Sequence, residues 1–200
     1  MIYYMHVGPD IAQAKMMVDS ADYYWMETCQ LTDMDSPTVN GDYLRTPRYD
    51  GEGLMLFRTR IYAAVNKPGI YMDTDMLIKH DLSPLMELDF DIMVTKRSHV
   101  IKDPNGVNIS NVMPYNGGFV VVKDETFWPE VYDRMLKMSD KSQEWYGDQI
   151  AIQEAVKTRK TIELPVKIYN RTVKKAGLDV SDAWVLHFKG DGKEVMQSYV

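Results

Sequence analysis

The sequence predicts an α/β fold with a mostly parallel central sheet flanked by helices, and three observations carry that prediction. The first is the run Gly69-Ile70-Tyr71-Met72-Asp73-Thr74-Asp75-Met76-Leu77-Ile78. It is apolar like a strand buried on both faces, except where two carboxylates interrupt it. The second lies just upstream, where Leu54, Phe57, Ile61 and Val65 recur at helical spacing along 52–66. That helix feeds through Lys67-Pro68-Gly69 directly into the apolar run, and helix followed by strand is part of a βαβ pattern. The third is the amino terminus, which reads strand, helix, strand within its first 31 residues.

Met1 to Val7 is rich in aromatic and apolar side chains and stops at Gly8-Pro9, after which Asp10 is placed to cap a helix through about Ser20. Tyr23 to Leu31 reads as the second strand. Residues 33–50 are polar and turn-rich, with Pro37, Gly41 and Pro47, and read as a loop with at most a short element. Beyond the apolar run, Leu82 to Met86 suggests a helical turn and Asp91 to Thr95 a strand. The polar stretch 96–114 is a candidate substrate loop, because long connections inside a compact domain tend to be functional.

Asn116-Gly117-Gly118 opens a strand over Phe119 to Val122, its glycines allowing something to approach the backbone closely. Helices follow over Glu125 to Met138, with Pro129 tolerable in the first turn, and over Gly147 to about Lys157. Ile162 to Leu164, Val166 to Tyr169 and Ala183 to Leu186 are short strand candidates, the last delivering His187 to a strand end. Lys189 to Val200 reads as a polar tail. Among the aromatic residues, Tyr3, Tyr4, Tyr23, Tyr24 and Trp25 read as core and sheet surface.

Composition narrows the function. Two hundred residues, 45% hydrophobic and 26% charged, suit one globular domain with a full core. Twenty-three basic against 29 acidic side chains give a net charge of -6, which argues against nucleic acid as a partner. The single cysteine, Cys29, forbids an internal disulfide or a multi-cysteine metal site and is consistent with a cytoplasmic protein. No apolar run approaches the ~20 residues of a membrane span, and the amino terminus does not read as a targeting segment.

Asp73 and Asp75 would emerge at the carboxyl end of a buried strand and point the same way, where open α/β sheets bind ligands. Two hard oxygen ligands converging on one point suit Mg²⁺ or Mn²⁺ with substrate phosphates completing the shell. Spacing alone is weak, because Asp33-Met34-Asp35 and Asp89-Phe90-Asp91 share it. Only the middle triplet follows an apolar run entered through a Pro-Gly turn. Context is what selects it.

The stretch from Arg58 to Leu85, centred on Ile70-Tyr71-Met72-Asp73-Thr74-Asp75, resembles the nucleotide-sugar-binding half of GT-A glycosyltransferases. Among these it is most similar to family eight, which includes glycogenin and bacterial lipopolysaccharide galactosyltransferases. His187-Phe188-Lys189-Gly190-Asp191-Gly192-Lys193 resembles that family's His-x-x-Gly-x-x-Lys motif. The resemblance implies one GT-A domain over 1–200, with 1–95 as the nucleotide- and metal-binding half and 96–200 carrying the acceptor side and the carboxyl-terminal motif. It implies that Asp73, Asp75 and His187 hold a cation, and an imidazole ligand favours Mn²⁺ over Mg²⁺. Lys193, Gly190 and Arg58 would serve the donor, while Asn116, Asp148 and Gln149 would line its sugar.

The activity implied is transfer of a hexose from a nucleotide diphosphate, a uridine one, to an acceptor hydroxyl on a glycan, lipid, protein or small molecule, with retention. The sequence departs from the family where Glu194-Val195 replaces the usual Pro-Trp after Lys193, and it is shorter than most relatives. Glycosyltransferase family thirty-two is similar around Pro68-Gly69-Ile70-Tyr71 but explains the His187 motif less well. Two rival readings stand beside transfer. One is a haloacid-dehalogenase-like phosphohydrolase with Asp73 as nucleophile, although such enzymes usually carry their aspartates on the first strand. The other is a non-catalytic relative that binds a nucleotide sugar. Bland readings compete at single residues: Asp148 beside Gly147 makes a good helix N-cap, Lys193 and Arg58 could be solvated charges, and Asn116-Gly117-Gly118 a plain turn.

Overall fold

The computed structural model describes every residue except 40, 48, 50, 98, 99, 103–105 and 107. In chain order its elements are β1 (Ile2–Met5), α1 (Ala12–Asp22), β2 (Thr28–Asp33), β3 (Asp42–Thr46), α2 (Leu54–Val65), β4 (Gly69–Met72), β5 (Met76–Ile78), β6 (Ile92–Lys96) and β7 (Tyr115–Val122). There follow α3 (Phe127–Met135), α4 (Asp140–Trp145), α5 (Gly147–Ala155), β8 (Thr161–Leu164), α6 (Val166–Tyr169), β9 (Arg171–Thr172) and β10 (Val185–His187). Short 3₁₀ segments lie at Ser83–Glu87, Val156–Thr158 and Gly190–Tyr199. The fold is α/β with mostly parallel strand pairing, and it divides into two compact units.

The first unit comprises 1–48, 69–88 and 165–200. It carries the parallel order β3-β2-β1-β4, with β1 between two neighbours and buried by them: Ile2 faces Thr28 on one side and Ile70 on the other. Ile2, Tyr4, Ile70, Tyr71 and Met72 are almost fully buried, each contributing on the order of 1.5–3 kcal/mol through water exclusion. A Cβ at Gly69 would lie 2.7 Å from the Tyr3 ring, so glycine there lets the Tyr3 side chain lie across the start of β4 and stack on Tyr71. A second, three-stranded sheet has the order β5-β10-β9, with β10 antiparallel to β5 and parallel to β9. Leu77, Val173, Ala183, Leu186, Phe188 and Met196 form its core.

The second unit comprises 49–68 and 89–164. Its β6 is antiparallel to β7 and parallel to β8. Helix α2 buries Leu56, Phe57, Ile61 and Tyr62, a face wider than the stripe expected from Leu54 and Val65, which are half-buried. It ends at Asn66, whose left-handed backbone (φ 43°) lets its N–H bond the Tyr62 carbonyl before Pro68 stops the chain. Tyr62, Phe127 and Trp128 pack as adjacent rings between α2 and α3.

Four local expectations are corrected. Val166 to Tyr169 is helix α6 rather than a strand, because Pro165 at its N-cap accepts the N–H bonds of Ile168 and Tyr169 and starts a turn. The second strand begins at Thr28 rather than Tyr23: α1 runs to Asp22, and Trp25 adopts a left-handed backbone (φ 58°) that turns the chain before β2. Tyr23 and Trp25 are therefore exposed instead of packed. The polar carboxyl-terminal tail is an ordered 3₁₀ segment, anchored where Met196 enters the apolar core. Residues 33–50 hold a short element, as expected: strand β3, added to the sheet edge by pairing with β2. Asp10 does not cap α1 from the N-cap position, which is Ile11, but its carboxylate accepts the Ala12 N–H at 3.0 Å. Part of the candidate substrate loop, 98, 99, 103–105 and 107, lies outside the described residues.

Candidate functional site

Asp73 follows the last residue of β4, and Asp75 precedes the first residue of β5. The triplet is thus the point where the chain leaves one sheet and enters another. That change of sheet turns two carboxylates of one short loop toward a common space. Strand β10 lies against β5 with His187 opposite Met76, and the Phe188 N–H donates to the Asp75 carbonyl at 2.8 Å. A backbone ladder therefore delivers His187 to the carboxylates across more than a hundred residues of chain.

The His187 Nε2 atom lies 3.1 Å from Asp75 Oδ1 and 3.8 Å from Asp73 Oδ2. One ligand atom from each of the three residues falls within 4.8 Å of the others. Bonds of about 2.1 Å to a divalent ion set adjacent ligand atoms roughly 3 Å apart and opposite ones roughly 4 Å apart. Both distances from His187 Nε2 fall in that range. Lys193 Nζ stands 3.5 Å from Asp75 Oδ2, at the half-exposed edge of the group. It is carried by the 3₁₀ segment, whose Gly192 packs so closely on the Val173 carbonyl that a Cβ would collide with it. Gly190 has a positive φ of 55° with open space around it, so it serves as a bend that only glycine takes without strain.

Electrostatics agree with this use of the residues. Burial alone would raise the Asp75 carboxyl, but the adjacent His187 ring and the Lys193 ammonium outweigh it and hold the group below its ordinary range. Burial pushes the His187 imidazolium the other way, below its ordinary value in spite of Asp75 and Asp73. Both shifts favour the forms that bind metal, imidazole for His187 and carboxylate for Asp75. Asp75 Oδ1 is also buried without a hydrogen-bond partner of good geometry. An acceptor in that state is costly unless a cation takes it up. The donor set and this orphaned oxygen fit a hard divalent ion.

Sequence reasoning missed Asn170. It is fully buried at the end of α6, and its Oδ1 lies 2.8 Å from His187 Nδ1. No spacing rule links it to His187; it is carried there by the pairing of β9 with β10. A second group lies at the carboxyl ends of β1 and β2: Gly8 N–H donates to Ser36 Oγ at 2.7 Å, Ser36 N–H to Asp33 Oδ1 at 2.9 Å, and His6 Nε2 sits 3.0 Å from the Gly8 carbonyl.

The second unit gathers the remaining sequence candidates. Opposite Val94 in β6 stands Val120 of β7, yet opposite Thr95 stands Asn116, so Gly117, Gly118 and Phe119 bulge out of register. Asn116 Oδ1 accepts the Gly118 N–H at 2.9 Å and steadies the bulge. A Cβ at Gly117 would lie 2.8 Å from Asp148 Oδ2 and 3.1 Å from Arg58 Nη2. Only glycine lets that ion pair sit against the strand. Arg58 Nη2 donates to Asp148 Oδ2, with Asp148 wholly buried and Arg58 8% exposed. Asp148 lies in the first turn of α5, where Tyr146 holds the N-cap position. The next residue, Gln149, accepts a bond from Arg97 Nη2 at its Oε1, a partner not foreseen from sequence.

No family profile and no curated relative matches the chain's sequence. Solved structures do match its fold. The glycosyltransferase GlyE of Streptococcus pneumoniae TIGR4 superimposes with a TM-score of 0.66 at 14% identity, over 99% of this chain. The chain spans only 59% of the length of GlyE. A glycosyltransferase involved in glycosylation of the major capsid of PBCV-1 gives 0.63 at 14% identity, covering 98% of both chains. The galactosyltransferase LgtC, in complex with donor and acceptor sugar analogs, gives 0.62 at 12% identity over 98% of this chain and 94% of its own. At such identities the likeness is one of fold, and that fold is the GT-A fold of glycosyltransferases. Among the described residues, no helix is long and apolar enough to cross a membrane.

Proposed function

We propose that this chain is a metal-dependent glycosyltransferase that moves a hexose from a uridine diphosphate donor to an acceptor hydroxyl, with retention. The observation that carries the reading is the convergence of Asp73, Asp75 and His187, with Lys193 beside them, in a chain of GT-A fold. Asp73, Asp75 and His187 would hold Mn²⁺, or Mg²⁺, and a bound ion supplies charge stabilisation to the departing diphosphate. Lys193 adds a second positive charge at the exposed edge of the same group. The bond from the anomeric carbon to the β-phosphate oxygen breaks, a bond to the acceptor oxygen forms, and the acceptor hydroxyl gives up its proton. In this reading Arg58 serves donor phosphate or sugar, and Asn116, Asp148 and Gln149 line the donor sugar. Retention and the uridine base follow from the family-eight resemblance.

The test is a panel of nucleotide sugars, measured with Mn²⁺ and with chelator, for binding and for loss of the sugar to water. We expect one uridine diphosphate sugar to bind with Mn²⁺ and to be turned over slowly without an acceptor. Asp75→Ala should abolish the metal-dependent part of both signals. Equal binding with and without metal by wild type, or metal-dependent binding retained by Asp75→Ala, would sink the proposal.

A further inference from the structure

We infer that Asn170 is the positioning residue of the candidate metal centre, setting the tautomer and orientation of His187 so that Nε2 presents a lone pair toward Asp73 and Asp75. The inference deepens the metal-centre reading above and rests on it. A neutral imidazole carries one proton, and which nitrogen holds it decides whether Nε2 is a donor or a ligand. His187 Nδ1 lies 2.8 Å from Asn170 Oδ1, a good hydrogen-bond length if the Nδ1–H donates to the amide oxygen. The opposite assignment, with the Asn170 amide donating to Nδ1, would put the proton on Nε2, 3.1 Å from Asp75 Oδ1 but outside hydrogen-bond geometry with it.

The geometry argues against that second arrangement. Asp75 Oδ1 is buried and receives no well-directed hydrogen bond, although Nε2 is within reach. A proton on Nε2 would thus lie off the line to its nearest carboxylate oxygen, whereas a lone pair there can share an off-line cation with that oxygen. Asn170 suits its task because it cannot move easily. It is fully buried, its N–H is bonded to the Val166 carbonyl at 3.0 Å, and it immediately precedes β9, whose Thr172 pairs with His187 itself. The residue that orients the ring and the ring are thus held by neighbouring strands of one small sheet. Outer groups of this kind typically affect metal affinity 10–100-fold.

The test compares wild type, Asn170→Leu and Asn170→Asp in the whole chain. Nitrogen NMR of the His187 ring in metal-free protein should show the Nδ1–H tautomer in wild type and Asn170→Asp, and a mixture or the Nε2–H form in Asn170→Leu. Calorimetric titration with MnCl₂ alone should show Asn170→Leu binding about 10–100-fold more weakly than wild type, with Asn170→Asp restoring affinity because it keeps an acceptor at Oδ1. The inference is overturned if metal-free wild type shows Nε2–H. It is equally overturned if Asn170→Leu binds Mn²⁺ like wild type, or if Asp rescues neither signal. Absence of Mn²⁺ binding by wild type would overturn the metal-centre reading instead, while the tautomer measurement would still judge Asn170.

Discussion

Replacing Asp148 by alanine should cost far more stability than a surface change, and the structure sets the size of the loss. Asp148 is wholly buried and Arg58 only 8% exposed, and the guanidinium donates to the carboxylate against the bare backbone of Gly117. Removing the carboxylate leaves a positive charge that is already shielded from water. Breaking a buried pair from one side costs about 3–5 kcal/mol. For a chain of this length that is a fall in Tm of about 6–20 °C. The double variant Arg58→Met/Asp148→Leu removes both charges and keeps most of the volume, so it should recover most of the loss. Calorimetric melting of wild type, Arg58→Met, Asp148→Leu and the double variant, without metal or donor, closes a double-mutant cycle, with Asp148→Ala melted alongside. A fall of less than 2 °C for Asp148→Ala, or a double variant that loses the sum of the two single changes, would refute the reasoning.

Gly192→Ala would drive a Cβ into the Val173 carbonyl and displace the 3₁₀ segment that carries Lys193. It should cost about 1–3 kcal/mol by melting and weaken Mn²⁺-dependent binding of the donor several-fold by calorimetry. Acid stability should depend on Arg159, which bonds Asp124 at 2.6 Å and Glu130 at 2.6 Å. Burial alone would raise both carboxyls, but their hydrogen bonds, to Thr126 for Asp124 and to Arg159 for both, outweigh it and hold them below their ordinary range. Groups depressed in the folded state stabilise it at pH above their unfolded values, and that contribution fades as pH falls through their folded values. Urea midpoints measured from pH 6 downward should therefore fall less steeply on acidification for Arg159→Met than for wild type.

Much of the fold was legible because the signals were local and strong. The helical stripe Phe57 and Ile61, the Lys67-Pro68-Gly69 turn and the apolar strand behind it each depend on neighbours within a few residues. Val166 to Tyr169 misled for the same reason in reverse, since three β-favouring residues, Val166, Ile168 and Tyr169, look like a strand until Pro165 starts a turn beneath them. Tyr23 to Trp25 looked like the start of a strand, and what ended that reading was a backbone conformation, φ 58° at Trp25, that tryptophan gives no hint of adopting.

The candidate ligands could be read from the sequence alone: two carboxylates one residue apart at the end of a buried run, and a distant histidine followed by glycines and a lysine. The sequence also determined the class of fold, because hydrophobic period and turn chemistry are properties of short stretches. Only the tertiary structure decided that Asp73 and Asp75 mark a change of sheet, that β10 carries His187 to them, and that Asn170 stands behind the ring. It likewise decided that Asp148 pairs with Arg58 against the bare backbone of Gly117. Those facts are set by strand pairing and close packing between segments far apart in the chain, and no local pattern of residues encodes which distant partner a strand will choose.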